Sequence, residues 1–228
     1  MATILAVGTA TPLCSVAIGR DGECIAVRED KSEKLNHAEK INLFTAEALA
    51  EAGLGLKDVD AFAVGIGPGS YTGLRIGVSA VKGWSYALEK PIIGISTLRI
   101  LVQAIVDRSI EKNTVLWPMI DARRMEVFTQ PFRSDGEILG PSAPLILDRD
   151  WIDRQQAPII VFGDGADKAA ELWSNAPEVT HLSGILPSAR SMIALAEKRY
   201  RAQEFDDLAY LVPEYGKVAN VKKPQQRG

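Results

Sequence analysis

A glycine-rich loop, GIGPGSYTGLRIG at residues 65–77, joins two apolar segments of different periodicity. The residues before it, AFAVGI at 61–66, predict a buried β-strand, and residues 71–90 predict a helix that Pro91 ends. Closely spaced backbone amides between a strand and a helix N-terminus are a common setting for a bound phosphate group. The loop therefore raises the question of a nucleotide site.

The loop lacks the residues that either phosphate-binding motif requires. A P-loop continues its last glycine with lysine and then serine or threonine, whereas Gly73 is followed by Leu74 and Arg75. The dinucleotide fingerprint needs a third glycine, and the two positions that could supply it are Ser70 and Thr72. We therefore expect these glycines to shape the strand-to-helix turn and to allow close packing of the helix.

The helix predicted at 71–90 has a narrow polar stripe. At 100° per residue, five side chains fall within an arc of about 80°. They are Arg75, Ser79, Lys82, Tyr86 and Glu89. The other positions are apolar or small, and Trp84 is the largest of them. Such a helix is either internal to a large core or covered by a partner chain.

Strand and helix signals alternate along the chain. The chain begins with three strand signals, ILAV, CSVAIGR and ECIAVRE, and a helix signal follows at about 37–52. Next come the strand, glycine-rich loop and helix described above, then a strand IIGIS and a further helix. A second unit begins near residue 111, and a polar, basic segment ends the chain. This pattern predicts an α/β protein with an N-terminal lobe at 1–109, a C-terminal lobe at 110–213 and a tail at 214–228.

The dipeptide DG at 21–22 predicts a two-residue hairpin turn between the second and third strands. In the register that this turn sets, Cys24 pairs with Gly19 and Cys14 pairs with Glu29. The two thiols then point to opposite faces of the ribbon. We therefore expect two buried free cysteines and no disulfide.

Composition and the chemistry-bearing residues argue against several functions. The 228-residue chain has a net charge of −3, so no overall positive field attracts nucleic acid. It shows neither a signal-peptide pattern nor an apolar run long enough to span a bilayer, and we expect a cytoplasmic location.

His37 and His181 have no second metal ligand at helical spacing, and neither cysteine lies in a nucleophile motif. We predict no metal, no cofactor and no catalytic residue, and we interpret DARR at 121–124 as a turn.

Several motifs together resemble one protein family. They are ILAVGTAT at 4–11, LNHAE at 35–39, GPGSYTGLRIGVSAVKG at 67–83, PIIGISTL at 91–98 and DARRMEVF at 121–128. These motifs are similar to those of the TsaB (YeaZ) family, glycoprotease-like relatives of TsaD in the bacterial machinery that makes threonylcarbamoyladenosine in tRNA. The resemblance implies an actin-like (ASKHA, ribonuclease H-like) fold of two lobes, with mixed sheets flanked by helices.

The resemblance also implies a role. Proteins of this family pair with TsaD, the catalytic subunit, through the N-terminal lobe, and they form homodimers when alone. We therefore expect a non-catalytic scaffold or activating subunit that acts with TsaD and further subunits of the pathway, and that reaches tRNA through the complex. The transfer of threonylcarbamoyl to the adenosine next to the anticodon would belong to TsaD. We predict that the interface with the partner contains Tyr71, Leu74, Gly77, Val78 and Trp84.

The chain departs from the family pattern at both ends. Where the first turn of the family commonly reads I-D-T-S-T, Gly8 replaces the aspartate that actin-like kinases use near metal and phosphate. The rival function, an ATPase or small-molecule kinase of the same fold, thereby loses its obvious metal ligand. Near the C-terminus, YGK at 215–217 replaces the family's Tyr-Leu-Arg. Direct tRNA contact by the basic tail, through Lys217, Lys222, Lys223 and Arg227, stays open.

Overall fold

The structure, a computed structural model, describes residues 2–31, 37–106 and 108–216. The first half of the chain forms a five-stranded mixed sheet with strand order β3-β2-β1-β4-β5. Its strands are β1 (Thr3–Gly8), β2 (Leu13–Arg20), β3 (Glu23–Lys31), β4 (Ala61–Gly67) and β5 (Ile92–Ser96). The first three strands pair antiparallel, and β1, β4 and β5 pair in parallel.

The second half forms another mixed sheet, with strand order β11-β10-β6-β7-β9 and β8 paired to β6. Its strands are β6 (Val115–Asp121), β7 (Glu126–Thr129), β8 (Phe132–Arg133), β9 (Ala143–Ile146), β10 (Ile159–Phe162) and β11 (Val179–Leu182). Gln130 and Pro131 separate β7 from β8. Proline has no backbone amide to donate to a strand ladder.

Helices flank both sheets, which confirms the predicted layering of mixed sheets and helices. They are α1 (His37–Glu51), α2 (Tyr71–Leu88), α3 (Thr97–Gln103), α4 (Arg149–Asp153), α5 (Asp164–Asp167), α6 (Ala170–Ser174) and α7 (Ala189–Arg201). None of the helices in the described ranges is both long enough and apolar enough to cross a membrane.

The first sheet is buried on both faces. One face packs against α1 and α2, where Ile41, Val78 and Val81 join a cluster that includes the sheet residue Leu5. The other face packs against α7 and α3. Strands covered on both faces read as nearly continuous apolar runs, which explains ILAV and AFAVGI in the sequence.

The hairpin between β2 and β3 turns at DG, and both residues of the turn have positive φ, as predicted. Cys24 pairs with Gly19, which confirms that part of the register. The pairing of Cys14 with Glu29 is wrong, because a bulge at Ile18 and Gly19 shifts the ladder by one residue and Cys14 pairs with Asp30. Both cysteines are free, and they pack in clusters on opposite faces of the sheet.

The predicted lobe boundary at 109/110 falls between α3 and β6. Helix α7 lies beyond that boundary in sequence, yet Met192, Ile193 and Ala196 pack on the first sheet. The division into lobes at 1–109 and 110–213 stays a prediction, and residues 217–228 of the predicted tail lie outside the described residues.

Two glycines of α2 provide a matched test of its packing. A Cβ at Gly73 would overlap the carbonyl oxygen of Thr9, whereas a Cβ at Gly83 would meet no atom within 4 Å. We expect Gly73→Ala to lower the free energy of unfolding by about 1–3 kcal/mol through overpacking. We expect Gly83→Ala to raise it by about 0.5–1 kcal/mol through helix propensity. Urea unfolding measures both values, and equal effects of the two substitutions would contradict the packing.

Candidate functional site

The glycine-rich loop packs against backbone on two sides. A Cβ at Gly69 would overlap the carbonyl oxygen of Ala10, and a Cβ at Gly67 would overlap that of Glu214. The amide of Ser70 donates to the Ala10 carbonyl oxygen at 2.7 Å, and the Ser70 hydroxyl oxygen accepts from the amide of Gly73 at 3.2 Å. Several amides that a phosphate would need are therefore already bonded within the chain, in agreement with the motif analysis.

A cleft of about 440 Å³ separates this loop from the second sheet. On the loop side it is lined by Thr11, Ser70 and Tyr71, and on the opposite side by the end of β6 and the start of α5. Two carboxylates lie there, Asp121 and Asp164. Among the described residues that line the cleft, the one cationic side chain belongs to Arg123. The cleft therefore holds charges of both signs.

The environment of Asp164 follows from its place at the start of α5. Its carboxylate accepts a hydrogen bond from the Asp121 amide at 3.1 Å, and Asp121 itself forms an ion pair with Lys168. Partial burial raises the pKa of Asp164 to about 6, and the negative charge of Asp121 adds to the rise. Sequence reasoning missed this residue, although a glycine turn after the strand IIVF was the signal that could have located it.

The end of β1 does not fit the metal–phosphate chemistry of an actin-like kinase. Gly8 supplies no carboxylate, and a Cβ there would lie 3.3 Å from the carbonyl oxygen of Pro187. A longer side chain at this position would have to displace the segment that precedes α7. The end of β1 therefore provides no ligand for a magnesium ion.

The two histidines lie apart and serve packing. His37 begins α1 and is 2% exposed, and burial together with nearby Lys40 lowers its pKa. Four residues later, Ile41 lies in the core. His181 contacts the Asp167 carboxylate at 2.9 Å through Nε2. Within the described ranges, no group of three or more histidine, cysteine or acidic side chains has metal-binding geometry.

The structure distributes the five predicted interface residues over different environments. Tyr71 is 50% exposed, and Trp84 is half-buried with its ring centroid 6.1 Å from that of Phe62. Leu74 and Val78 are buried within the protein's own core. Gly77 is buried against the Thr9 side chain, which a Cβ would overlap. The partner contact of these residues stays a prediction, but the protein itself already covers the side chains of Leu74 and Val78.

Helix α2 is not internal, because one side of it faces solvent. The side that its own protein leaves uncovered carries mostly small residues, which we call the small-residue flank: Thr72, Ile76, Ser79, Ala80, Gly83 and Ala87. Four of them are exposed, and Ile76 and Ala80 are half-buried against the core. Helix α1, which packs against α2, presents half-buried Phe44 and 54% exposed Leu43.

A family model, a curated relative and a solved structure all point to the same group of proteins. Residues 29–150 match the family model described as TsaD, tRNA N6-adenosine threonylcarbamoyltransferase. The tRNA threonylcarbamoyladenosine biosynthesis protein TsaB of Haemophilus influenzae is 34% identical over 209 residues, which cover 87% of this chain and 86% of that protein. The solved structure of YeaZ from Pseudomonas aeruginosa aligns with a TM-score of 0.78 and 29% identity, over 94% of this chain and all of that one.

A more distant solved structure shares the fold alone. The inorganic polyphosphate/ATP-glucomannokinase from Arthrobacter aligns with a TM-score of 0.53 at 11% identity, over 89% of this chain and all of that one. Together with the YeaZ structure, this similarity confirms the predicted actin-like fold.

The carboxyl group of Asp164 provides a test by pH. Because its pKa in the folded state lies above the ordinary value of 3.8, folding favours the protonated form. Its stabilising contribution is complete below pH 3.8 and is lost as the pH rises through about 6. We expect Asp164→Asn, which cannot ionise, to be more stable than the natural protein at pH 7 by about 1–2 kcal/mol.

Urea unfolding between pH 4 and pH 8 measures this difference. Asp150→Asn, at an exposed position of α4, controls for replacing a surface carboxylate by an amide. If the stability difference between Asp164→Asn and the natural protein does not grow between pH 5 and pH 7, the assigned environment of Asp164 is wrong.

Proposed function

The chain belongs to the TsaB family of tRNA threonylcarbamoyladenosine biosynthesis proteins, and we propose that within this pathway it is a non-catalytic subunit that binds and activates a TsaD-type transferase. The transferase would carry the threonylcarbamoyl transfer. The observation that carries this proposal is the small-residue flank of α2, a helix surface that the protein's own fold leaves uncovered.

Helix packing explains how this surface would be used. Small residues such as Gly83, Ala80 and Ala87 let a second helix approach α2 more closely than the ordinary 8–10 Å between helix axes. Leu43 and Phe44 on α1 would extend the contact, so that two helices from each protein form a bundle. A complementary pair of helices on the partner would bury this apolar surface, and burial of apolar area drives association.

The same surface can serve a homodimer in the absence of the partner. A two-fold interface uses one patch on both subunits, so a self-complementary flank of small residues suits it. We therefore propose that homodimer and heterodimer compete for the flank.

The complex would contact tRNA mainly through its other subunits, and a cytoplasmic location belongs to the same proposal. The basic side chains of the tail lie among residues 217–228, outside the described residues.

The rival proposal, an ATPase or small-molecule kinase, is disfavoured by the end of β1, where Gly8 provides no metal ligand. We expect isothermal titration of the isolated chain with Mg-ATP to show no binding at micromolar concentrations. Micromolar binding would contradict the non-catalytic proposal.

Gly83→Arg tests the partner interface directly. A Cβ at position 83 would meet no atom within 4 Å, so we expect the substitution to leave the fold intact while it places a long cation in the centre of the flank. We expect Gly83→Arg to abolish co-elution with the TsaD-type partner, because a charge buried in a helix–helix contact has no ion-pair partner.

Gly83→Ala is the matched control, and we expect it to retain the complex. Position 77 is unsuitable for this experiment, because any side chain there would strike Thr9 and disturb the fold itself. Co-elution of Gly83→Arg at the level of the natural protein would show that the small-residue flank is not the interface.

A further inference from the structure

The last described residues, 214–216, run across the start of α2. We call them the C-terminal latch. The amide of Glu214 donates to the Ile66 carbonyl oxygen at 2.7 Å, and the Glu214 carbonyl oxygen occupies the space that a Cβ at Gly67 would need. The latch therefore fits directly onto the glycine-rich loop at a place where only glycine permits the approach.

Tyr215 of the latch holds two side chains of α2. Its ring centroid lies 4.6 Å from that of Tyr71, and its hydroxyl oxygen accepts a hydrogen bond from Nε of Arg75 at 2.9 Å. The Arg75 guanidinium carbon lies 4.1 Å from the Tyr71 ring centroid, a cation–π contact. Two neighbouring side chains of α2 and one side chain 140 positions beyond Arg75 in sequence thus fix one another.

The latch also reaches the second sheet. Gly216 has a φ of +68° and packs against Phe128 of β7, where a Cβ would come within 2.7 Å of Cε1. Phe128 and Tyr71 line opposite sides of the cleft between the glycine-rich loop and the second sheet. The three residues of the latch therefore connect the first turn of α2 to a strand of the other sheet.

We infer that Tyr215 is a positioning residue for partner binding: it holds Tyr71 and Arg75 at the N-terminal edge of the small-residue flank, while its neighbour Gly216 packs against β7. This inference rests on the proposed function, because the flank is the surface that the partner would meet. Arg75 in particular has many rotamers when free, and its ordering before association lowers the entropy cost of binding.

The first test measures hydrogen exchange in the full chain without a partner. We expect Tyr215→Ala to speed amide exchange at residues 66–75 and at β7, with the rest of the protein unchanged. Tyr215→Phe keeps the ring contact with Tyr71 and loses the acceptor for Arg75, so we expect a smaller effect. Tyr210→Ala is the control, because Tyr210 lies in the same C-terminal region and is 81% exposed.

The second test measures affinity for the TsaD-type partner. We expect Tyr215→Ala to weaken binding about tenfold, since two side chains lose their preorganised positions. Because Tyr215 would act through Arg75, we expect Arg75→Ala to weaken binding by about the same factor as Tyr215→Ala. The double variant should also weaken binding by about that factor, and not by the product of the two single effects. A purely structural role for Tyr215 would not produce this non-additivity.

The possible results separate the inference from the proposed function. If Gly83→Arg abolishes the complex and Tyr215→Ala binds normally, the positioning role is overturned while the interface stands. If exchange speeds up but affinity is unchanged, the latch is structural only and the inference is likewise overturned. If the natural protein binds no TsaD-type partner, the proposed function fails, and unchanged exchange in Tyr215→Ala would then overturn the latch itself.

Discussion

Direct backbone contact between the turn after β1 and the first turns of α2 is the constraint on which the rest of the N-terminal half depends. The Thr9 hydroxyl donates to the Gly73 carbonyl oxygen at 2.7 Å, and Ser70 donates through its amide to Ala10. Because residues 69, 73 and 77 are glycines, none of these three positions places a side chain in the contact. The helix therefore lies close enough to the sheet for its valines to complete the core, and its opposite side is left facing outward.

The same contact affects what the cleft beside the glycine-rich loop can bind. A loop that presented free amides at this helix start would suit a phosphate, but here internal carbonyl and hydroxyl oxygens use several of those amides. At the neighbouring strand end, Gly8 lies against the carbonyl oxygen of Pro187 and provides no ligand for a metal. The actin-like frame thus persists while its cleft carries the acidic pair Asp121 and Asp164 in place of a phosphate cradle.

The C-terminal part of the chain returns to the first sheet more than once. Helix α7 covers one face, and Asp206 then pairs with Ile92 at the sheet edge while accepting hydrogen bonds from Gly94 and Arg199. Lys82 of α2 donates to two carbonyl oxygens of the following segment. The segment after α7 therefore contacts and stabilises α2, so the candidate partner surface depends on residues more than a hundred positions away in sequence.

The sequence by itself determined the order of strands and helices through residue 103, the DG hairpin and the start of α2, because local periodicity and turn chemistry specify them. The motifs also identified the family. Sequence could not assign the faces of α2: Gly77 and Gly83 look equivalent in the pattern, yet one meets Thr9 and the other meets open space. Nor could it pair Tyr215 with Arg75 or expose the bulge that shifts Cys14. These outcomes depend on which distant backbone lies beside each residue, and only the tertiary structure decides that.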